Sequence, residues 1–140
     1  MQYVRIITVI NLKQNLICSL RYADQLSDLF TEFGHFFFES DPKRKEEMRK
    51  KFTNQTVPHN MKILEEKLTS NKTGYLIGDG LTMVDLIMVV GFEALTTGGF
   101  KQFDMSKAFN DYPLVHSHYN KIRSLEKINE WIQCRPQTNY

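Results

Sequence analysis

The segment Leu81-Thr82-Met83-Val84-Asp85-Leu86 constrains the fold more than any other stretch of this 140-residue chain. A threonine at a helix N-cap can accept a backbone N–H, and an aspartate three residues on can reach back to the threonine N–H, so one motif satisfies donors that a helix start leaves orphaned. Glutamate or glutamine is commoner at the second position, so Asp85 makes this a variant of the capping box. Leu81 and Leu86 flank it at the spacing of a hydrophobic staple. The helix it opens, Met83 to about Thr96, carries Leu86, Ile87, Val89, Val90, Phe92 and Leu95 and is apolar on nearly every side, which places it at the centre of a domain. Gly98-Gly99 stops it.

Other helices are needed to cover such a segment, and the periodicity supplies them. From Leu16 to Phe37 the positions Leu16, Leu20, Ala23, Leu26, Phe30, Phe33 and Phe37 step by threes and fours, the stripe of a long amphipathic helix. Asp24, Asp28 and Glu32 stack along another side. Ser40-Asp41-Pro42 is a helix start, a capping oxygen followed by a residue whose missing N–H costs nothing there. The helix passes through the polar run Lys43 to Lys51, is kinked or restarted at Pro58, and resumes an apolar face with Met61, Leu64 and Leu68 before Asn71 to Gly74 ends it. Tyr75 to Gly80 reads as an ordered loop whose glycines allow unusual backbone angles. Phe100 to Asp111 is poorly patterned. Pro113 opens a helix with Leu114, Val115, His118, Tyr119 and Ile122 inward, and Ser124 caps a last one with Leu125, Ile128, Trp131 and Ile132, ended before Pro136. With no hairpin dipeptide and no alternating run after residue 10, the expected class is an all-α bundle of five to seven helices around the segment near 83–96.

Composition fits one soluble domain: 41% of residues are hydrophobic and 24% charged. A net charge of +2 is too small to draw nucleic acid or an anionic membrane to the chain. Glu46 and Glu47, interleaved in the Lys43 to Lys51 run, favour a solvated helix over a nucleic-acid patch. Cys18 and Cys134 lack metal-ligand spacing, and His116 and His118, two residues apart, face different sides of a helix, so no metal site is expected. Arg5 interrupts the apolar run Val4 to Ile10 and no cleavage site follows, which argues against a secretory signal. The two sequons at Asn54 and Asn71 are then chance, and the expected location is the cytoplasm. Asp85 belongs to the cap and is expected to serve folding rather than chemistry.

The stretch Gly78-Asp79-Gly80-Leu81-Thr82-Met83-Val84-Asp85-Leu86 resembles the capping segment shared by the C-terminal domains of cytosolic glutathione transferases. The ending, Tyr112-Pro113, Ile122-Arg123-Ser124 and Trp131-Ile132-Gln133-Cys134-Arg135-Pro136-Gln137-Thr138, resembles the sigma class. Ala23-Asp24-Gln25-Leu26-Ser27-Asp28-Leu29 resembles the first helix of that class's C-terminal domain. The likeness spans residues 16–140 and leaves 1–15 unassigned.

This resemblance implies glutathione conjugation to electrophiles, or a glutathione-dependent isomerisation, with glutathione as co-substrate and no separate cofactor. It implies that Asp28 reaches across a dimer interface to the γ-glutamyl amine of glutathione on the other subunit, with Asp24 one turn away in support. It implies a pocket for the hydrophobic co-substrate drawn from Phe30, Phe33, His35, Phe37, Phe38 and Tyr140. The plain alternatives are solvated acids for Asp24 and Asp28, core packing for the phenylalanines and a frayed end for Tyr140. In the family a thioredoxin-like half supplies the catalytic tyrosine and grips the tripeptide. Neither is found in these residues, since Tyr3 has no matching context, so no catalytic residue is assigned and the chain alone is expected to be nearly inactive. The expected partners are a second copy or a full-length transferase subunit, with no nucleic acid and no membrane. The alternative function is a non-catalytic helical module that binds hydrophobic ligands or a protein partner.

Overall fold

The computed structural model describes residues 2–97, 106–134 and 136. Among them the chain forms seven α-helices and no strand: α1 (Gln2–Phe37), α2 (Pro42–Lys51), α3 (Val57–Asn71), α4 (Met83–Thr97), α5 (Ser106–Asp111), α6 (Pro113–Arg123) and α7 (Glu126–Cys134). Four of them close a ring, α1 against α4, α4 against α6, α6 against α3 and α3 against α1. The core fills that ring. It takes Leu26, Leu29, Phe33 and Phe36 from α1, Met61, Leu64 and Leu68 from α3, Val84, Met88, Phe92 and Leu95 from α4, and Val115, Tyr119 and Ile122 from α6, all buried.

The long first helix starts at Gln2, well before Leu16, and its buried face is rotated from the expected stripe. Leu29 and Phe36 are buried, whereas Leu16 is 61% exposed and Leu20 is also exposed. Length explains the second point. A 36-residue helix runs about 54 Å, against about 22 Å for the 15-residue α3 and α4, so α1 extends past its neighbours, and Leu16 and Leu20 lie on it in solvent.

Asp41 caps α2, its Oδ1 accepting from Lys43 N at 2.8 Å and Arg44 N at 3.1 Å, with Pro42 in the first turn. No residue of α2 is buried, as befits a solvated run. Glu46 accepts from Arg49 Nε and Nη2 at 2.8 and 2.9 Å within the helix. At Phe52–Thr56 the helix widens into one π turn, in which Val57 N donates to Phe52 O, five residues back. Pro58 lies in the first turn beyond. Proline has no N–H to give the turn before it, and the widened turn lets the chain restart as α3 without a break in direction.

Asn71 ends α3 and builds the loop after it. Its Nδ2 donates to Thr73 Oγ1 and Tyr75 O, both at 2.7 Å, and to Gly78 O at 2.8 Å. Gly74 and Gly78 have φ of 75° and 67°, the left-handed values the loop requires. Lys72 also takes a positive φ, 54°, as the helix C-cap. The Asn71 side chain is therefore a structural brace.

Three local expectations differ from what forms. The poorly patterned stretch 100–111 contains α5, six residues whose Phe109 stacks on His116 and Tyr119 with ring centroids 4.9 and 5.2 Å apart. Ser124 does not cap α7. Its Oγ donates back to Lys121 O, closing α6, and Leu125 O instead accepts the first α7 bonds from Ile128 N and Asn129 N. Leu114 is exposed, at a helix start capped by Glu65 of α3, whose two oxygens accept from Leu114 N at 3.1 Å and Val115 N at 2.9 Å. Gly98-Gly99 lies outside the described residues.

Candidate functional site

The α4 start is organised around Asp85, which is fully buried. Its Oδ2 accepts from Thr82 N at 2.8 Å, and its Oδ1 accepts from Leu76 N at 2.9 Å, so one carboxylate ties the helix to the preceding loop. The Thr82 hydroxyl donates to Oδ2 at 2.6 Å, a different use of that hydroxyl from accepting a helix N–H. Leu81 and Leu86 both stay exposed, so the staple pair encloses no buried contact. The partner that sequence reading missed is His118 of α6, whose Nε2 lies 2.7 Å from Asp85 Oδ1 with both side chains out of water. Burial alone pushes the Asp85 carboxyl up, but the bonds from His118, Leu76 and Thr82 outweigh it and hold the group below the ordinary carboxylate value. Bonded to the loop before α4 and to His118 of α6, the buried carboxylate positions α4 against α6.

A second buried acid, Glu93 of α4, accepts from the Tyr119 hydroxyl at 2.5 Å and faces Arg123 Nε at 3.2 Å. The two clusters account for both charged residues of a mostly apolar helix. α4 is central, yet one stripe of it, Met83, Leu86 and Val90, faces out, contrary to an all-round burial. α7 covers part of that side without burying any of its own residues, and Trp131 is 56% exposed.

A polar cleft of about 590 Å³ runs between α1, the π turn and α3. Asp28, Glu32, Gln25, Thr56, His59 and Asn60 contribute to its walls. A chain of side-chain bonds fixes its floor: Gln25 Nε2 donates to Asn60 Oδ1 at 3.0 Å, Asn60 Nδ2 to Thr56 O at 2.8 Å, and Thr56 Oγ1 to Glu32 Oε1 at 3.0 Å. The π turn places Gln55 and Thr56 on this cleft. Asp28 is exposed on its wall and makes no hydrogen bond or ion pair among the described residues. Asp24 is exposed one turn away and is not part of the lining. An outward carboxylate beside fixed amides can accept from an ammonium group. Among the described residues no three His, Cys, Asp or Glu side chains are grouped to hold a metal ion.

The aromatic candidates separate into three environments. Phe33 is core, its ring 4.9 Å from Phe36 and 5.7 Å from Phe52. Phe30 is half-buried against α4, its ring 6.4 Å from that of Phe92, and packs on Gly91. Phe37 is half-buried under Lys45 Nζ at 5.4 Å, while His35 is exposed and Phe38 is 79% exposed. Tyr140 lies outside the described residues.

Residues 27–135 match the family model described as the glutathione S-transferase C-terminal domain. The chain is 26% identical over 122 residues to glutathione S-transferase 4 of Caenorhabditis elegans, covering 81% of this chain and 56% of that protein. Its fold is similar to that of the prostaglandin synthase D of Nilaparvata lugens, with a TM-score of 0.78 at 23% identity over 90% of this chain and 60% of the other. It is similar also to a nu-class transferase of Haemonchus contortus, with a TM-score of 0.72 at 29% identity over 87% of this chain and 57% of the other. The chain thus spans somewhat more than half the length of these relatives. The family model and the helical ring built on the Asp85 cap place this chain among the glutathione transferases, as their C-terminal helical domain.

Proposed function

We propose that this chain is the helical half of a sigma-like glutathione transferase, which supplies the subunit contact and part of the hydrophobic co-substrate pocket and leaves the thiolate chemistry to a thioredoxin-like half. The observation that carries the reading is Asp28, an exposed carboxylate on the wall of the α1–α3 cleft with no partner among the described residues, placed to meet the α-amine of a γ-glutamyl group presented by a neighbouring subunit. The Asp24 to Asp28 face of α1 is then the pairing surface, for a second copy or for a complete transferase subunit. Phe30, two residues beyond Asp28, and Phe37, at the C-terminal end of the same helix, are half-buried and are the ring candidates for the co-substrate side. The place of work is the cytoplasm. In support, no helix among the described residues is long and apolar enough to cross a membrane.

The test is to join this chain to the thioredoxin-like half of a complete transferase and measure glutathione conjugation to a chlorodinitrobenzene acceptor. The fusion conjugates, and Asp28→Asn raises its KM for glutathione about tenfold, the loss of one charge-assisted hydrogen bond, with kcat within about threefold. A folded fusion that binds no glutathione, or an Asp28→Asn variant with unchanged KM, would overturn the proposal.

A further inference from the structure

The buried His118 keeps one ring nitrogen unsatisfied. Its Nε2 lies against Asp85 Oδ1 at 2.7 Å, while its Nδ1 is out of water and has no hydrogen-bond partner among the described residues. A buried polar atom left in that state is costly. His118 also lines a pocket of about 190 Å³ where the end of α3, the loop after it and α6 meet. The other lining residues are Leu68, Lys72, Gly74, Leu114, Ser117 and Lys121, none of them shared with the Asp28 cleft.

Among the described residues this lining carries two lysines and a hydroxyl, and no acid. Lys72, which ends α3 at a φ of 54°, is exposed and makes no ion pair among the described residues. Lys121 Nζ lies 3.6 Å from the centroid of the Tyr75 ring and donates to Thr73 O at 3.0 Å, which uses one of its three N–H donors. Gly74 keeps that place open, because a Cβ there would come within 2.8 Å of the same Nζ. The pocket thus gathers donors and positive charge with no carboxylate to receive them. Water would meet Nδ1 and leave two like charges uncompensated, whereas an oxyanion answers both needs through charge-assisted hydrogen bonds. The volume lies below the roughly 300–1,000 Å³ of sites for drug-sized ligands and suits a tetrahedral ion. We propose that this pocket binds an oxyanion of phosphate size, held by Lys72, Lys121 and the Ser117 hydroxyl, with His118 Nδ1 donating to it. Asp85 on one ring nitrogen and the oxyanion on the other make His118 the link through which the ligand ties α3 and α6 to α4. The site does not depend on the reading of Asp28.

The full chain, isotope-labelled in its four histidines, is titrated with sodium phosphate and, in parallel, with sodium chloride at matched ionic strength, and the ring nitrogens are followed by NMR. Phosphate moves the His118 Nδ1 resonance along a saturating curve and leaves those of His35 and His59 in place; chloride moves none of them. Phosphate also raises the unfolding midpoint, as a ligand of the folded state must, and does so less in Lys72→Gln. Lys121→Gln weakens phosphate at least about tenfold, the loss of a charge-assisted hydrogen bond. Lys72→Gln, at an exposed position, weakens it about fivefold, and Lys72→Arg retains it. Glycerol phosphate identifies the source: binding of both compounds marks the phosphoryl end of a larger molecule, binding of phosphate alone marks a free ion, and either result upholds the oxyanion site. A His118 resonance that ignores phosphate or moves equally with chloride overturns the proposal, as does an unchanged affinity in Lys72→Gln together with a Lys121→Gln variant that is folded by circular dichroism.

Discussion

Asp85→Asn lowers the stability of the chain by about 3–5 kcal/mol, the scale for breaking a buried charged hydrogen-bond cluster by changing one member, and so removes a large part of the roughly 5–15 kcal/mol that holds a domain together. The reason is geometric. Asp85 accepts on both oxygens, from Leu76 N and His118 Nε2 on one and from Thr82 N and Oγ1 on the other. Asparagine must turn an NH2 donor toward one of those pairs, leaving buried donors face to face. Acid acts by the same route. Because the Asp85 carboxyl is held below its ordinary value when folded, its contribution is complete above about pH 4 and is lost as pH falls through the lower folded value. Thermal unfolding followed by circular dichroism between pH 7 and pH 2.5 therefore shows the wild-type advantage over Asp85→Asn shrinking below about pH 4. Two curves that fall in parallel through that window would place the acid sensitivity elsewhere.

Gly91→Val destabilises the chain by about 3 kcal/mol, and Gly91→Ala by about 1–2 kcal/mol, the usual range for overpacking a close contact. A Cβ built on Gly91 would overlap the Phe30 ring, so α1 and α4 approach as closely as they do only because this position has no side chain. Alanine is the better helix former by about 1 kcal/mol, which makes a loss of stability the opposite of what helix propensity alone predicts. Phe30→Leu in the Gly91→Ala background recovers part of the loss in chemical denaturation, since the smaller side chain makes room for the methyl. Gly91→Ala equal to or more stable than wild type would show that the ring yields freely, and that the contact sets no limit on the packing of the two helices.

Local signals carried most of the fold. The capping segment, the proline starts at Pro42 and Pro113, and the three-four spacing of apolar residues mark helices through bonds and contacts that lie within a few positions in sequence. What they could not show was set by partners far along the chain. His118 meets Asp85 across 33 positions, and Glu65 caps α6 across 49 and 50. No spacing rule links such residues. The exposure of Leu16 and Leu20 follows from where the neighbouring helices end, and that of Met83, Leu86 and Val90 from the shallow cover α7 gives; hydrophobicity along one helix is silent on both. Gly91 carries no signal along its own helix, because what constrains it is the Phe30 ring of α1, 61 positions away in sequence. For the site, the family resemblance singled out Asp28, and the fold sets it on an open cleft whose other walls, from the π turn and α3, no motif announced.

On the proposed function, these residues give shape and contacts while the thiolate chemistry belongs to a thioredoxin-like half. The direct measurement is to incubate the purified, folded chain with glutathione and a chlorodinitrobenzene acceptor. Turnover indistinguishable from the uncatalysed reaction is the expected result, with a cooperative unfolding transition in the same sample to show that the bundle is intact. Turnover near that of a complete transferase would mean that a thiolate-stabilising group resides within the 140 residues themselves, and would contradict the account at its base.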